Sequence, residues 1–436
     1  MSQKVPCGSV VEAAKRLEVK GKKLDRSWVV WGLVHVLIFL CLFPVLGQLF
    51  YPGPGELERQ IALKILDGQV PYRDFVSEYP PLALLSFLMP ALFFRTPLAY
   101  HLAFAAEMLL FDLLAMILIA FVATHFTISL RRSLTVYTLL LIAVGPLVTM
   151  RYDLLPAVLV LAASTSFMTG RTKTAWAVLA LGVTAKLYPI IIAPLFVIYH
   201  LRSKQYGQLV KGGITFLAVL LAITLPWLVF DATGYWHSLS YHIERGLHSE
   251  SSYATVLLIG QILGLTQVEG EFSFGSWNLS SPLADSLAGV SPYISVGLLV
   301  ILYSLCAWLL WRRSTARAGI KMLESGAAAL MVRLAFLALI VFLLTSKIFS
   351  PQFLIWLLPL LPLISGRQRY TTWLFLVIGG LTQYIFPYHY IEFELGEPYL
   401  IAMMAGRNLL LMVMGILILL PTIRGLAEAS SSLAER

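Results

Sequence analysis

Five carboxylates fall within one short polar stretch near the start of the chain. Residues 51 to 81 read YPGPGELERQIALKILDGQVPYRDFVSEYPP, and the acids among them are Glu56, Glu58, Asp67, Asp74 and Glu78. A carboxylate in a fixed position can accept the proton of an attacking hydroxyl group, so each acid is a candidate general base. Prolines in the PYRDF and EYPP segments restrict the backbone, as a preorganised site requires. Taken singly, each acid has an ordinary alternative role, which is to solvate a surface loop.

The middle of this stretch, Glu56 to Leu66, has the pattern of a helix lying along a membrane surface. Leu57, Ile61 and Ile65 recur at helical spacing, whereas Glu58 falls off that stripe. The sequence therefore predicts an interfacial helix with Leu57 on its apolar side.

The elements that must position these acids are strongly apolar. The chain of 436 residues is 58% hydrophobic and 13% charged, whereas soluble domains carry about 25% charged residues. Helices are the only membrane-spanning structure that fits its long apolar blocks, since a span needs about 20 residues. Ten full-length blocks cover residues 28–50, 98–124, 134–150, 153–169, 212–230, 291–311, 327–346, 350–365, 371–386 and 398–420. The sequence predicts an all-α polytopic membrane protein with about 10 full spans.

Three further apolar pieces are ambiguous. Residues 82–94 are short for a span, and residues 253–268 have few charged neighbours, so for both pieces a membrane crossing stays open. Residues 174–200 are interrupted by Lys186 and Pro189. For this piece we expect a re-entrant pair of short helices that meet near Lys186, because proline interrupts a helix.

Basic residues sort to one side of this topology. With the ambiguous pieces left uncrossed, 22 of the 32 Lys and Arg residues fall on the side that holds both termini. An excess of Lys and Arg marks cytoplasmic loops. The net charge of +9 is therefore a topology signal and predicts no nucleic-acid partner. We expect a multi-pass plasma-membrane protein with cytoplasmic tails at 1–27 and 422–436 and one transmembrane domain at 28–421.

Cations are predicted near the outer face, which holds the polar stretches 51–81, 231–252, 269–290 and 387–397. Arg245 lies in the second stretch, Lys347 ends an outward-running span, and Arg407 lies in the outer half of the last span. Charges in or near lipid are costly, which makes them functional candidates, although snorkelling or structural ion pairing is the alternative. Such cations can neutralise an anion that leaves during a reaction.

Several other polar residues have structural explanations. Asp153 begins a predicted helix, where a carboxylate complements the helix dipole, and we favour this capping role. For Lys186, at the predicted helix break, a structural role is at least as plausible as a functional one. Glu107, Asp112 and Arg333 lie deeper in apolar blocks, and we expect them to pair with one another.

Histidines and cysteines do not predict a metal site. His237, His242 and His248 share one stretch, but their spacing does not place them on one helix face. The three cysteines lie far apart in the sequence. We expect no cofactor and leave a divalent metal requirement open. His389, in a later outer stretch, is a candidate sugar contact.

Several motifs together resemble integral-membrane glycosyltransferases of the GT-C class. The run GELERQIALKILDGQVPYRDFVSEYPPL looks like their first extracytoplasmic loop and is closest to glycosyltransferase family 87. The resemblance continues through RYDLLPA, ALGVTAKLYPIIIAPL, YHIERGLHSESS and SKIFSPQFLIWLLPL, and so covers most of the chain. It implies a GT-C-like helical bundle whose spans are joined by re-entrant or interfacial helices.

The resemblance also implies a set of site residues. The general base of the family is an aspartate at the start of the surface helix, and the matching position here is Glu56. In related transferases the acid before the paired prolines also lies at the site, which implies Glu78, and Asp74 is the third candidate. The substrate-binding candidates are Arg73, Asp153, Arg245, Glu250, Lys347, His389 and Arg407.

The implied activity is transfer of a hexose or pentose from a polyprenyl phosphate to a glycan or lipid acceptor at the outer membrane face. The resemblance implies a mannosyltransferase-like enzyme that inverts the anomeric carbon, with membrane lipids around it. A transporter or lipid flippase without catalytic activity is the alternative, because broken helices and intramembrane charges also mark transport sites. A polymerase or ligase of lipid-linked glycans is a third reading that this sequence separates poorly from the first.

Overall fold

The structure of the protein is a computed structural model that describes residues 27–50, 56–312, 325–364 and 369–434. The predicted N-terminal tail, apart from Ser27, lies outside the described residues. Most of the described chain is helical.

The first half of the fold is a run of helices with several short pieces. They are α1 Ser27–Leu37, a π-helical turn Ile38–Leu42, α2 Phe43–Phe50, α3 Glu56–Leu66, α4 Pro81–Ala91, α5 Pro97–His125, α6 Leu130–Val144, α7 Leu147–Met150, α8 Leu154–Met168, α9 Thr172–Ala185, a 3-10 helix Tyr188–Ile192 and α10 Ala193–Arg202.

The second half adds a small sheet between helices. Its elements are α11 Tyr206–Glu244, β1 Leu247–His248, α12 Ser252–Ile262, β2 Glu269–Ser273, β3 Ser276–Ser280, α13 Pro282–Arg312, α14 Ser325–Thr345, a 3-10 helix Pro351–Leu357, α15 Leu361–Ile364, α16 Arg369–Gln383, a π-helical turn Tyr384–Tyr388, α17 Tyr390–Glu394 and α18 Pro398–Ala434.

Five of the described helices are long and apolar enough to cross a membrane. They cover Trp28–Gly47, Pro97–His125, Tyr206–Glu244, Pro282–Trp308 and Pro398–Arg424. The helices at three other predicted spans, α6, α8 and α16, have 15 residues each. Each is about 22 Å long at 1.5 Å per residue, whereas the hydrocarbon core is about 30 Å thick. The expected count of ten full spans is therefore not confirmed.

The predicted span at 350–365 is wrong as a single helix. This segment forms the 3-10 helix Pro351–Leu357 followed by the four-residue helix α15. The physical reason is its prolines, Pro351, Pro359 and Pro362, which remove backbone donors and interrupt a helical ladder.

All three ambiguous pieces form short helices, and in the piece 253–268 this helix is α12, which has 11 residues. The predicted break near Lys186 is confirmed, since α9 ends at Ala185 and Lys186 has an extended backbone with φ −159° and ψ 144°. Residues 82–94 contain α4, which has 11 residues. At about 16 Å, this helix is too short to cross a bilayer.

The stretch 231–252 was expected to be a polar loop, but α11 continues through most of it to Glu244. A kink divides this helix at Asp231, whose φ of −158° and ψ of 97° are not helical. The Asp231 carboxylate accepts the Gly234 N–H at 3.0 Å, which is how an N-cap residue starts a new helical segment. The polar stretch therefore extends the helix in a new direction.

The all-α prediction omitted a small antiparallel sheet. Strand β3 pairs with both β1 and β2, so the strand order is β1-β3-β2. The connection between β2 and β3 contains Phe274 and Gly275, both with positive φ, and glycine is suited to that conformation.

Two hydrophobic cores hold these elements together. The larger core lies between the bundle helices, including α5, α6, α8, α9 and α14. A smaller core lies beneath the sheet and α12, and it includes Leu247, Leu257, Phe393 and Met404.

Candidate active site

The loop between α3 and α4 is fixed against α11 by aromatic side chains. The Tyr72 ring packs edge-on against Trp227 at 5.4 Å and Tyr235 at 5.2 Å between centroids. The Tyr72 hydroxyl donates to the Tyr79 carbonyl at 2.6 Å. A Cβ atom added to Gly234 would lie 2.0 Å from the Tyr72 carbonyl oxygen, so this close approach requires glycine. These contacts hold the segment containing Glu78 in place.

Glu78 lies against the last turns of α11. Its carbonyl oxygen is 3.1 Å from His242 Nε2, which must donate, because a carbonyl only accepts. The Glu78 oxygen Oε2 is buried and has no hydrogen-bond partner. His242 also lies within electrostatic reach of Arg245 and Lys186. Glu78, Arg245 and Lys186 therefore all lie within electrostatic reach of His242.

Lys186 reaches the same place from the break between α9 and the 3-10 helix. Its Nζ donates to Asp153 Oδ1 at 2.6 Å, and Trp356 Nε1 donates to the same oxygen at 2.6 Å. Aromatic rings of Tyr152, Phe353 and Trp356 lie 4.9, 5.1 and 5.4 Å from Nζ. A cation beside aromatic faces is attracted by their quadrupoles. This arrangement holds the Lys186 ammonium in one position.

The capping role that we favoured for Asp153 is wrong. Asp153 precedes α8, but its side chain makes no capping hydrogen bond to that helix. The carboxylate instead accepts from Lys186 and Trp356, and its second oxygen Oδ2 is buried without a partner. Because the pair lies 33 residues apart in sequence, no local pattern indicated it.

A second ion pair lies on the other side of Tyr79. Arg151 Nη1 donates to Glu58 Oε1 at 3.0 Å, and the Glu58 side chain is 1% exposed. The Tyr79 ring contacts Tyr152 edge-on at 5.6 Å. Burial raises the pKa of the Tyr79 hydroxyl well above its usual range, and the carboxylates of Glu58, Glu78 and Asp153 add to the shift. All three acids therefore surround this tyrosine.

Glu58 was not among the predicted site residues, because it falls off the predicted stripe of Leu57, Ile61 and Ile65. The structure buries Glu58, Ile61 and Ala62, whereas Leu57 is 46% exposed. Glu58 and Ile61 lie three residues apart and so share a helix face. An acidic residue, however, is normally assigned to the polar face of an amphipathic helix.

Two predicted catalytic acids lie on the surface with arginine partners. Glu56 accepts from Arg59 at 2.6 Å, and this interaction lowers the Glu56 pKa. Asp74 accepts from Arg73 at 2.8 Å and from the Val70 N–H at 2.7 Å. These bonds lower the pKa of Asp74 to about 2. Of the three acids, Glu78 is the one that contacts His242, which lies within electrostatic reach of Arg245 and Lys186.

Arg245 and Lys347 lie together at the end of α11. Lys347 Nζ donates to the Ile243 carbonyl at 2.6 Å and to the Arg245 carbonyl. It thereby satisfies carbonyls that the helix end leaves free. The Arg245 guanidinium donates to Ser276 Oγ at 2.6 Å, and its Nε is buried without a hydrogen-bond partner. Lys347 positions the segment, and Arg245 lies within electrostatic reach of His242.

Glu250 and Arg407 form a separate buried pair under the sheet. Arg407 Nη2 donates to the Glu250 carbonyl at 2.7 Å, and its Nη1 lies 3.6 Å from Glu250 Oε2. The guanidinium lies 4.1 Å above the Phe349 ring. Glu394, nearby, accepts from Ser249 Oγ at 2.7 Å. Burial raises the pKa of Glu250 to about 8, although Arg407 opposes the shift.

Two further predicted residues have partners within their own segments. His389 Nδ1 lies 3.8 Å from Glu392, and its ring lies 4.4 Å from that of Tyr384. Arg73 is exposed and bonds to Asp74, its neighbour in sequence.

The deep acids do not pair as predicted. Asp112 lies 2.5 Å from His35 Nδ1 and accepts from the Tyr137 hydroxyl at 2.8 Å. Glu107 accepts from Ser86 Oγ at 3.0 Å. Among the residues that the structure describes, no group of three or more histidines, cysteines, aspartates or glutamates is arranged to hold a metal ion.

Comparisons with known proteins give a distant likeness. No family model matches the chain, and no curated protein matches it. Among solved structures, the crystal structure of ArnT from Cupriavidus metallidurans in the apo state is similar over 93% of this chain and 77% of ArnT. The identity is 14% and the TM-score is 0.45. At those values no residue role is carried over from ArnT to this chain.

Proposed function

We propose that the chain is an integral membrane glycosyltransferase of the GT-C class, which transfers a sugar from a polyprenyl phosphate to an acceptor hydroxyl. The single observation that carries the proposal is the convergence of three segments on His242: Glu78 from the loop before α4, His242 and Arg245 from the end of α11, and Lys186 from the break after α9. A carboxylate beside cations, on a chain rich in apolar helices, suits a reaction whose leaving group is a lipid anion.

Glu78 is the general base in this proposal. Its unpartnered Oε2 can accept the acceptor's proton, a role that contributes about 10²- to 10⁴-fold in rate. Asp74 is a poor base by comparison, because its low pKa leaves little affinity for a proton. Glu56 is a poorer candidate because its carboxylate is bound to Arg59.

Lys186 and Arg245 bind the phosphate that departs. As the acceptor oxygen bonds to the anomeric carbon, the bond from that carbon to the phosphate oxygen breaks, and the electron pair leaves with the phosphate. The proton passes to Glu78. The ammonium of Lys186 is held by Asp153 and aromatic rings, so it meets the growing charge without rearranging.

A single displacement assisted by one base inverts the configuration at the anomeric carbon. We therefore propose an inverting, mannosyltransferase-like transfer of a hexose or pentose. The lysine and arginine distribution favours an extracytoplasmic site with both termini cytoplasmic. The acceptor is a glycan or lipid with a free hydroxyl.

The test is transfer by purified protein in liposomes. Radiolabelled polyprenyl-phosphate mannose and other polyprenyl-phosphate sugars are incubated with candidate lipid acceptors, and labelled products are separated from donor. Transfer that needs the protein supports the proposal. Movement of label across the liposome membrane without any product would instead support a transporter or flippase and contradict it.

A further inference from the structure

The Glu58–Arg151 pair is an unusual feature for the neighbourhood of a lipid-phosphate site. Glu58 comes from α3 and Arg151 from the residues before α8, 93 positions later. The pair is 23% exposed on the arginine side and 1% exposed on the glutamate side. It is therefore reached from the side of Arg151.

Glu58 is only half satisfied by this contact. Arg151 donates to Oε1, but Oε2 is buried without a hydrogen-bond partner. A buried acceptor without a donor costs about 1–3 kcal/mol, and more when it is charged. Asp153 repeats the pattern, with Oδ1 engaged and Oδ2 without a partner. Glu58 and Asp153 thus each have one carboxylate oxygen that is engaged and one that lacks a hydrogen-bond donor.

Both acceptors adjoin the proposed reaction centre through two tyrosines. The rings of Tyr79 and Tyr152 contact each other, and Phe87 packs edge-on against both at 4.9 and 5.2 Å. The carboxylates of Glu58 and Asp153 act electrostatically on both tyrosines. Glu58, Arg151, Glu78 and Asp153 therefore all lie within electrostatic reach of Tyr79.

The charges indicate what kind of ligand would complete the site. Arg151 already balances Glu58, and Lys186 already balances Asp153, so a second cation is not needed at either carboxylate. A neutral donor fits better. A sugar hydroxyl donates one hydrogen bond, so a ring hydroxyl can donate to the Glu58 oxygen that has no partner.

We propose that Glu58 and Arg151 form a subsite that recognises one hydroxyl group of the donor's sugar ring. Arg151 fixes one carboxylate oxygen of Glu58, and the other oxygen accepts a hydrogen bond from that hydroxyl. This inference rests on the proposed function. It makes Glu58 a specificity-determining residue that is distinct from the base.

The experiment compares donors that lack one hydroxyl at a time. The probes are the polyprenyl-phosphate sugar that the wild type uses best and its monodeoxy analogues, and the measured quantity is kcat/KM. In Glu58→Gln the amide oxygen turns to Arg151, and the NH₂ group replaces the open acceptor by a donor. The matched control is Asp67→Asn, because Asp67 is an exposed acid at the end of the same helix.

The wild type is expected to discriminate against one analogue by about tenfold or more, since a site built for a hydroxyl rejects its absence. Glu58→Gln should lose about the same factor on the parent donor and little on that analogue, which is the sign of direct coupling. Asp67→Asn should retain the wild-type pattern. If Glu58→Gln does not fold, Glu58→Asp, which keeps the charge pair, must show the same selective loss.

An equal loss on every donor would overturn the subsite, because Glu58 would then act on the chemistry or the fold instead of reading a hydroxyl. In that case the wild type still transfers sugar, and the proposed function stands. A wild type that transfers no sugar from any parent donor would overturn the proposed function, and the subsite with it.

Discussion

Lys186 Nζ lies 2.6 Å from Asp153 Oδ1, and each residue occupies a point where a helix is interrupted. The backbone break at Lys186 frees its side chain from a helical face, and the aromatic rings of Trp356 and Phe353 hold it in place. The pair joins the segments before α8 and after α9, so the same contact stabilises the fold and presents a cation.

The structural and functional roles of this pair are expected to separate on substitution. Lys186→Met leaves the buried Asp153 without its cation, and breaking such a pair costs about 3–5 kcal/mol. The double variant Lys186→Met/Asp153→Asn should recover much of that stability, because no charge is stranded, but should not recover transfer. Thermal unfolding in detergent and transfer assays measure the two roles. Recovery of transfer in the double variant would show that Lys186 is not needed for catalysis.

Lys347 is expected to contribute stability instead of donor binding. Its ammonium bonds to carbonyls at the end of α11, and hydrogen bonds to charged groups contribute about 1.5–3 kcal/mol. Lys347→Met should lower the unfolding midpoint and leave the KM for the donor nearly unchanged, while Lys211→Met, at an exposed position, should alter neither. A raised KM at unchanged stability would restore Lys347 as a phosphate ligand.

Gly234 is expected to be intolerant of any side chain. A Cβ atom there would lie 2.0 Å from the Tyr72 carbonyl, whereas one at Gly213 in the same helix would meet nothing within 4 Å. Overpacking of this kind costs about 1–3 kcal/mol. Gly234→Ala should therefore loosen the loop that carries Glu78 and reduce transfer. Gly213→Ala, the control, should be neutral or slightly stabilising; equal behaviour of the two variants would argue against the packing of this loop on α11.

The buried Glu250 predicts that stability falls as pH rises. Burial raises its pKa to about 8, Arg407 opposes the shift and Glu394 adds to it, whereas an unfolded glutamate has a pKa of about 4.3. The folded state then binds the proton more tightly, so this stability is fully present below about pH 4 and is lost as pH rises through about 8.

Glu250→Gln should therefore flatten the decline of the unfolding midpoint between about pH 5 and 8. The control is Glu269→Gln, which changes an exposed acid of the sheet and should keep the wild-type slope. A wild type whose midpoint rises over this range would show that Glu250 is ionised in the folded protein.

The sequence predicted the helical class and the break at Lys186, because these follow from composition and proline placement. It did not predict the Lys186–Asp153 and Glu58–Arg151 pairs. Both join residues from different helices, and no periodicity within one segment specifies a partner 33 or 93 positions away.

Two other errors have local causes. The stretch 231–252 is polar and was therefore expected to be a loop. Instead, Asp231 caps a new helical segment, and α11 continues. The segment 350–365 has a span's hydropathy, yet its prolines prevent a continuous helix. Polarity and hydropathy indicate whether a segment lies in water or in lipid, whereas capping residues and prolines determine where its helices begin and end.

We propose that Glu78 accepts the proton of the acceptor hydroxyl, and the rate of transfer by the Glu78→Gln variant decides whether it does. The amide keeps the shape but cannot act as a base, so the rate of transfer from a radiolabelled polyprenyl-phosphate sugar should fall by about 10²- to 10⁴-fold. Donor binding and the unfolding midpoint should change little, and Glu271→Gln, an exposed acid of the sheet, should transfer at the wild-type rate. Transfer by Glu78→Gln at the wild-type rate would show that Glu78 is not the general base.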